Sequence, residues 1–140
     1  MKNILLAVLF VVSVPFAQIW SLDVNGFVYS SGAGAAVTQA TSRTTGVTIN
    51  TLTGQITTNT ASLAAEAAAA FTVTDSKVGL HDVVVLSIQS GSNGGNTAVN
   101  VTTVAAGSFA IKVSNNNAAA GTAETGAIII NFVVLKGASS

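Results

Sequence analysis

The sequence predicts an all-β protein: an antiparallel β-sandwich of jelly-roll type, with about eight strands, behind an extended or helical apolar N-terminal arm. Three observations predict it. The run Phe109-Ala110-Ile111-Lys112-Val113-Ser114 places Phe109, Ile111 and Val113 on one face and Ala110, Lys112 and Ser114 on the other, which is the period-two pattern of a half-buried strand. Comparable alternation of apolar residues with Thr, Ser and Asn fills most of the chain from Phe71 to Lys136, broken at short intervals by turn-forming residues. The composition agrees, with thirteen Gly, one Pro and many hydroxyl and amide side chains, which suit short strands and polar turns rather than a helical bundle.

Taken in order, the chain divides into a leader with a small-residue hinge, residues 1–33, and a β-sandwich domain, residues 34–140. Met1-Lys2-Asn3 precedes nine consecutive apolar residues at 4–12, followed by Ser13, Pro15 and Ala17. A short basic start, an apolar run and a helix breaker have the form of a secretory signal. A cut after Ala17, however, would put Pro15 where a small side chain is required. With Ser13, Pro15 and Gln18 inside it, the segment is marginal as a membrane span. Two readings stand open: a cleaved signal, or a retained arm that buries itself against a neighbouring subunit or surface. Residues 30–36, rich in Ser, Gly and Ala, form the hinge.

Beyond the hinge, strands are predicted at 36–40, 45–50, 54–58, 69–75, 82–89, 97–105, 107–114 and 126–136. The separators are Thr53-Gly54, Asp75-Ser76, the Gly-rich loop 90–96, Ala106-Gly107 and Asn115-Asn116-Asn117, residue types that tolerate the backbone angles of reversals. Residues 61–70 are mostly Ala and predict a short helix or a loop crossing between sheets. In Ile128-Ile129-Ile130-Asn131-Phe132-Val133-Val134-Leu135 both faces are apolar, so this strand predicts cover on both sides, one of them by an added element or another subunit. Asp82-Val83-Val84-Val85-Leu86 begins the same way. Phe71, Phe109 and Phe132 are the expected core anchors.

Composition excludes several functions. There is no Cys, hence no disulfide framework and no thiolate metal site. Five Lys plus Arg balance five Asp plus Glu, and charged residues make up 7% of the chain, against roughly 25% in an ordinary soluble domain. Such a surface exerts no steering field on nucleic acid or an anionic membrane, so no nucleic-acid partner is expected, and membrane contact only through the N-terminal segment. A lone monomer with so little charge is prone to association. Much of the surface is therefore expected to lie in subunit contacts, with a poorly soluble secreted protein as the plainer explanation.

No reactive constellation stands out. His81, the only histidine, is followed by Asp82, but neighbours along a strand face opposite ways, so the two do not form an oriented acid–base pair. Asp23, Glu66, Asp75, Asp82 and Glu124 are scattered, with no spacing that recommends a glycosidase-like pair; Asp75-Ser76 reads as an Asx turn. No calcium loop is present, and loop 90–96 matches no phosphate-binding pattern and reads as flexible. Asn100-Val101-Thr102 satisfies the glycosylation sequon. Trp20, Phe27 and Tyr29 flank the leader as packing residues or interface anchors. No catalytic, cofactor-binding or metal residue is assigned, and no enzyme is expected.

Several phrases carry a resemblance. They are Val37-Thr38-Gln39-Ala40-Thr41-Ser42, Thr45-Gly46-Val47-Thr48-Ile49-Asn50, Gly54-Gln55-Ile56-Thr57, Phe71-Thr72-Val73-Thr74-Asp75-Ser76, Asp82-Val83-Val84-Val85, Ala106-Gly107-Ser108-Phe109 and Ile130-Asn131-Phe132. In order and spacing, across residues 34–137, the chain resembles small head-decoration virion proteins of tailed bacteriophages, departing where the family usually carries Asn and this chain has Asp75. The resemblance implies a compact, trimeric β-sandwich that cements a capsid lattice, docked on the major capsid protein at the outer surface of the virion. A secreted or surface-displayed adhesion module, recognising glycan or a host surface through loops such as 90–96 or serving in a tail fibre, is the alternative expectation. An export signal would favour it.

Overall fold

A computed structural model describes residues 21–23, 26–29 and 33–138. The chain divides into two units, Met1–Ser30 and Ser31–Ser140. In the first, β1 (Ser21–Asp23) and β2 (Gly26–Val28) form an antiparallel hairpin with Ser21 opposite Val28. The apolar run at 4–12, the Ala17 cleavage candidate and Trp20 lie outside the described residues.

The second unit contains eight strands: β3 (Gly34–Thr38), β4 (Val47–Thr48), β5 (Thr53–Thr57), β6 (Ala68–Thr74), β7 (Val83–Ser90), β8 (Thr97–Ala105), β9 (Ser108–Asn115) and β10 (Ile129–Leu135). Each falls within a few residues of a predicted strand, and β8 coincides with its prediction. The first sheet runs β3-β5-β10-β7 and the second β4-β6-β9-β8. Neither sheet closes on itself.

Both sheets are mixed, which corrects the antiparallel expectation: β3 pairs with β5, and β4 with β6, in parallel. The cause is the path of the chain. From β3 to β6 consecutive strands alternate between the two sheets, so strands that pair are separated by an intervening strand in the other sheet. That crossover returns the chain in its original direction. From β7 onward the neighbours are antiparallel, with Ala106-Gly107 closing the β8–β9 hairpin and Gly107 at φ +81°, a conformation that a residue without Cβ adopts freely.

No helix occurs among the described residues. In the stretch 61–70, Leu63 pairs with Glu124 as an isolated bridge, residues 65 and 66 turn with Glu66 at φ 61°, and Ala68 to Ala70 already belong to β6. Helix propensity lost to packing: Ala69 is buried, and Ala70 pairs with Lys112 of β9. Residues 34–36, read from sequence as hinge, are taken into β3.

The core lies where alternate side chains of the two sheets meet. Ile56, Ile130, Phe132 and Val134 from the first sheet and Phe71, Val73, Phe109, Ile111 and Val113 from the second are all buried. Phe109 and Phe132 touch across the sheets with ring centroids 5.4 Å apart and planes tilted by 51°, a favoured aromatic geometry. Phe71, Phe109 and Phe132 are thus the anchors that their spacing predicts, each contributing about 1.5–3 kcal/mol through burial.

Candidate functional surface and its polar clasps

The few charges of the domain are placed unevenly. Arg43 is buried at the turn between β3 and β4 and spreads its guanidinium over three segments. Nη1 donates to Thr58 Oγ1 (3.1 Å), Nη2 to Gly126 O (2.7 Å) and Glu124 O (3.3 Å), and Nε to Ala61 O. Burial lowers its pKa, and the negative charge of Glu124 opposes that shift. Thr58 Oγ1 in turn accepts from Ile128 N at 2.9 Å, so the strap fixes the entry into β10.

Glu124, also buried, accepts from Asn93 N (2.8 Å) and from Thr97 Oγ1, and its backbone exchanges both hydrogen bonds with Leu63 at 2.9 Å. Loop 90–96, read from sequence as flexible, is therefore fastened at Asn93, whose Nδ2 also donates to Thr122 O at 3.0 Å. Asn115 is buried and donates from Nδ2 to Leu63 O (3.1 Å) and Thr122 O (2.9 Å). These contacts tether the 116–128 connection at Thr122 and tie β9 to the segment around Leu63.

A third clasp joins the start of β7 to the end of β10. Asp82 accepts from Gly79 N (2.7 Å), Gly137 N (2.9 Å) and Lys136 Nζ (2.5 Å), while Lys136 Nζ also donates to Lys77 O at 2.8 Å. Burial pushes the Asp82 carboxyl up, but the Lys136 ammonium and the two N–H groups outweigh it and hold the pKa below the usual value. His81 is exposed while Asp82 is buried, both in the turn that leads into β7. Asp75 forms the predicted Asx turn, accepting from Lys77 N at 2.9 Å. Its side chain is fully buried with Oδ2 lacking a hydrogen-bond partner, and burial raises its pKa against the pull of the Lys77 N–H.

Among the described residues no three His, Asp or Glu side chains gather where a metal could sit, and no helix is long and apolar enough to cross a membrane. Asp75 and Asp82 come near the same Lys136 charge, but each is committed to holding a turn. A hollow of about 230 Å³ on the second sheet is lined by Thr72, Thr103, Ala105, Ser108, Phe109 and Ala110, with no ionisable group among them.

The opposite situation holds on the outer face of the first sheet. In β10, Ile130, Phe132 and Val134 face the core, while Val133 is half-buried and Leu135 is exposed. Register sets Val85 of β7 opposite Val133 and Val83 opposite Leu135. Val83 is 56% exposed, Val85 47% and Leu135 39%, with Leu80 beside the strand at 61%. The next row is made of amides: Gln55 Nε2 donates to Gln89 Oε1 (2.6 Å) and to Asn131 Oδ1 (3.3 Å).

Compared with protein-family models, curated proteins and solved structures, the chain matches none.

Proposed function

We propose that this chain is a structural subunit whose task is to hold neighbours, and that it belongs to the capsid-decoration kind its motifs resemble. Its two sheets pack as a β-sandwich that cements the outer surface of a phage head, three copies to an assembly seated on the major capsid protein. One observation carries the reading: the distribution of charge. Arg43, Asp82 and Glu124 are buried in clasps that stiffen the connections, and the outer face of the first sheet carries apolar and amide side chains. A surface of that kind gains free energy by being covered, at roughly 25 cal/mol per Å² of apolar area removed from water. No cofactor or catalytic group enters this mechanism.

Light scattering on the purified full chain tests it, together with binding to undecorated capsids. A stable oligomer, three copies by mass, that binds shells and raises their disruption temperature is the expected result. A clean monomer at micromolar concentration that ignores shells would refute it.

The secreted adhesion module remains the second reading, favoured by the signal-like form of residues 1–17. Mass spectrometry of the natural protein separates the two. A mature start near Gln18 supports export, whereas a start at Met1 supports the retained arm.

A further inference from the structure

We propose that copies of this chain hold one another through the outer face of the first sheet along its β7 edge, centred on Val83, Val85, Val133 and Leu135. The inference rests on the assembly reading above and adds to it a two-fold surface by which copies of neighbouring assemblies meet. Three features select a second copy as the occupant.

The first is charge. None of the outward-facing residues on β3, β5, β7 or β10 is ionisable, and Lys136 at the rim is already tied to Asp82. A nucleic acid, an anionic membrane or a charged protein would lose hydration of its own charges here and find no counter-charge. A copy with the same neutral face loses nothing of the kind.

The second is self-complementarity. Each amide of Gln55, Gln89 and Asn131 both donates and accepts, so the amide row can bond the same row on another copy while the apolar row meets its counterpart. A patch that answers itself in this way makes a two-fold contact, unlike the differing patches that meet around a three-fold axis, so it joins copies of neighbouring assemblies.

The third is the strand edge. β7 lies at the end of its sheet and, among the described residues, has no partner on its outer side. From Val83 to Ser90 it carries neither charge nor Pro, the devices by which sheets keep an edge from pairing. The open edge and the apolar row adjoin, so one contact covers both. The opposite sheet lacks such a row, for the hollow there is walled mainly by Thr, Ser and Ala.

The test uses the full chain in three forms: unaltered, Val85→Lys, and Val85→Thr as a neutral β-branched control. Sedimentation velocity over a concentration series gives the dissociation constant, and thermal melting reports that each variant is folded. The proposal expects Val85→Lys to weaken assembly by roughly tenfold or more while melting as a folded protein, with Val85→Thr much closer to the parent. If the unaltered chain assembles and Val85→Lys assembles equally well, the surface is wrong although the assembly reading survives. If the unaltered chain is monomeric, both fall. A photo-crosslinking residue at position 85, in mixed light and heavy isotope samples, completes the test. Mixed-isotope crosslinks support the proposal, and crosslinks only to residues 1–20 of the same chain overturn it.

Discussion

At the scale of single residues, the two buried aspartates act on stability in opposite directions. The pKa of Asp82 is lowered in the folded protein, so its stabilising effect is complete above the ordinary aspartate value of 3.8 and is lost as pH falls through the lower folded value. Asp75 is raised, so its contribution is favourable below the ordinary value and lost as pH rises through the higher folded one. Asp82→Ala should therefore cost about 1–3 kcal/mol near neutral pH, because two N–H groups and Lys136 lose their acceptor, and should flatten the acid limb of the stability curve. Asp75→Asn should stabilise the neutral protein by about 1 kcal/mol, since it removes a buried charge with an unpartnered oxygen. Urea titrations from pH 3 to pH 8, with the slope compared between variants, measure both; an Asp75→Asn protein with the parent's pH profile would contradict the assignment. Arg43 is the larger case. Arg43→Met leaves Thr58 Oγ1 and the backbone carbonyls of Ala61, Glu124 and Gly126 without this donor and the buried Glu124 charge without the cation that opposes it, at an expected cost of about 3–5 kcal/mol. Arg43→Lys should recover little of it, because a single ammonium cannot reach partners placed for a planar fork.

Among elements, β5 is an interior strand, held between β3 and β10. A Cβ at Gly54 would stand 2.7 Å from Phe132 Cε1, 2.8 Å from Ala35 O and 2.9 Å from Ile49 Cδ1, so neither the backbone nor the core can yield cheaply. Gly54→Ala should destabilise by about 1–3 kcal/mol through overpacking, seen as a lower denaturation midpoint at unchanged slope. Much at this scale was legible beforehand. Period-two alternation marked β6 and β9 closely, because each buries one face and leaves the other at least partly open; β8 is only partly buried on either face, with a bulge between Val101 and Thr103. Residues 61–70 were misread toward helix, since ten residues of high intrinsic propensity are still too few to outweigh pairing with β9. Parallel pairing of β3 with β5 left no mark in the sequence, because a crossover is a property of the path and not of any one strand.

For the whole molecule, near-absence of charge governs how copies should meet. An assembly held by apolar and amide contacts is expected to be almost insensitive to sodium chloride and to tighten in sulfate, which is excluded from protein surfaces. Sedimentation across salt series checks this, and dissociation by moderate chloride would point to ionic contacts instead. The doubly apolar character of residues 128–135 was visible in sequence. In the folded chain one of its faces, with Ile130, Phe132 and Val134, is covered by the domain's own core, and the other is left partly open at Val133 and Leu135.

What the sequence determined by itself was local in origin: which residues form strands, where the turns fall, that Phe71, Phe109 and Phe132 anchor the core, and that the surface is nearly neutral. All follow from side-chain period, backbone permissiveness and composition, each readable within a few residues. Tertiary structure decided the rest. Arg43 in its polar turn has the look of a solvated side chain, yet the partners it fastens lie 15 to 83 residues away, and Glu124 and Asp82 likewise become buried clasps through distant partners such as Asn93 and Gly137. Only pairing of β7 with β10 brings Val83 and Val85 beside Leu135 and Val133 to form one surface. Such contacts depend on how distant segments meet, and no short window of the chain contains that information.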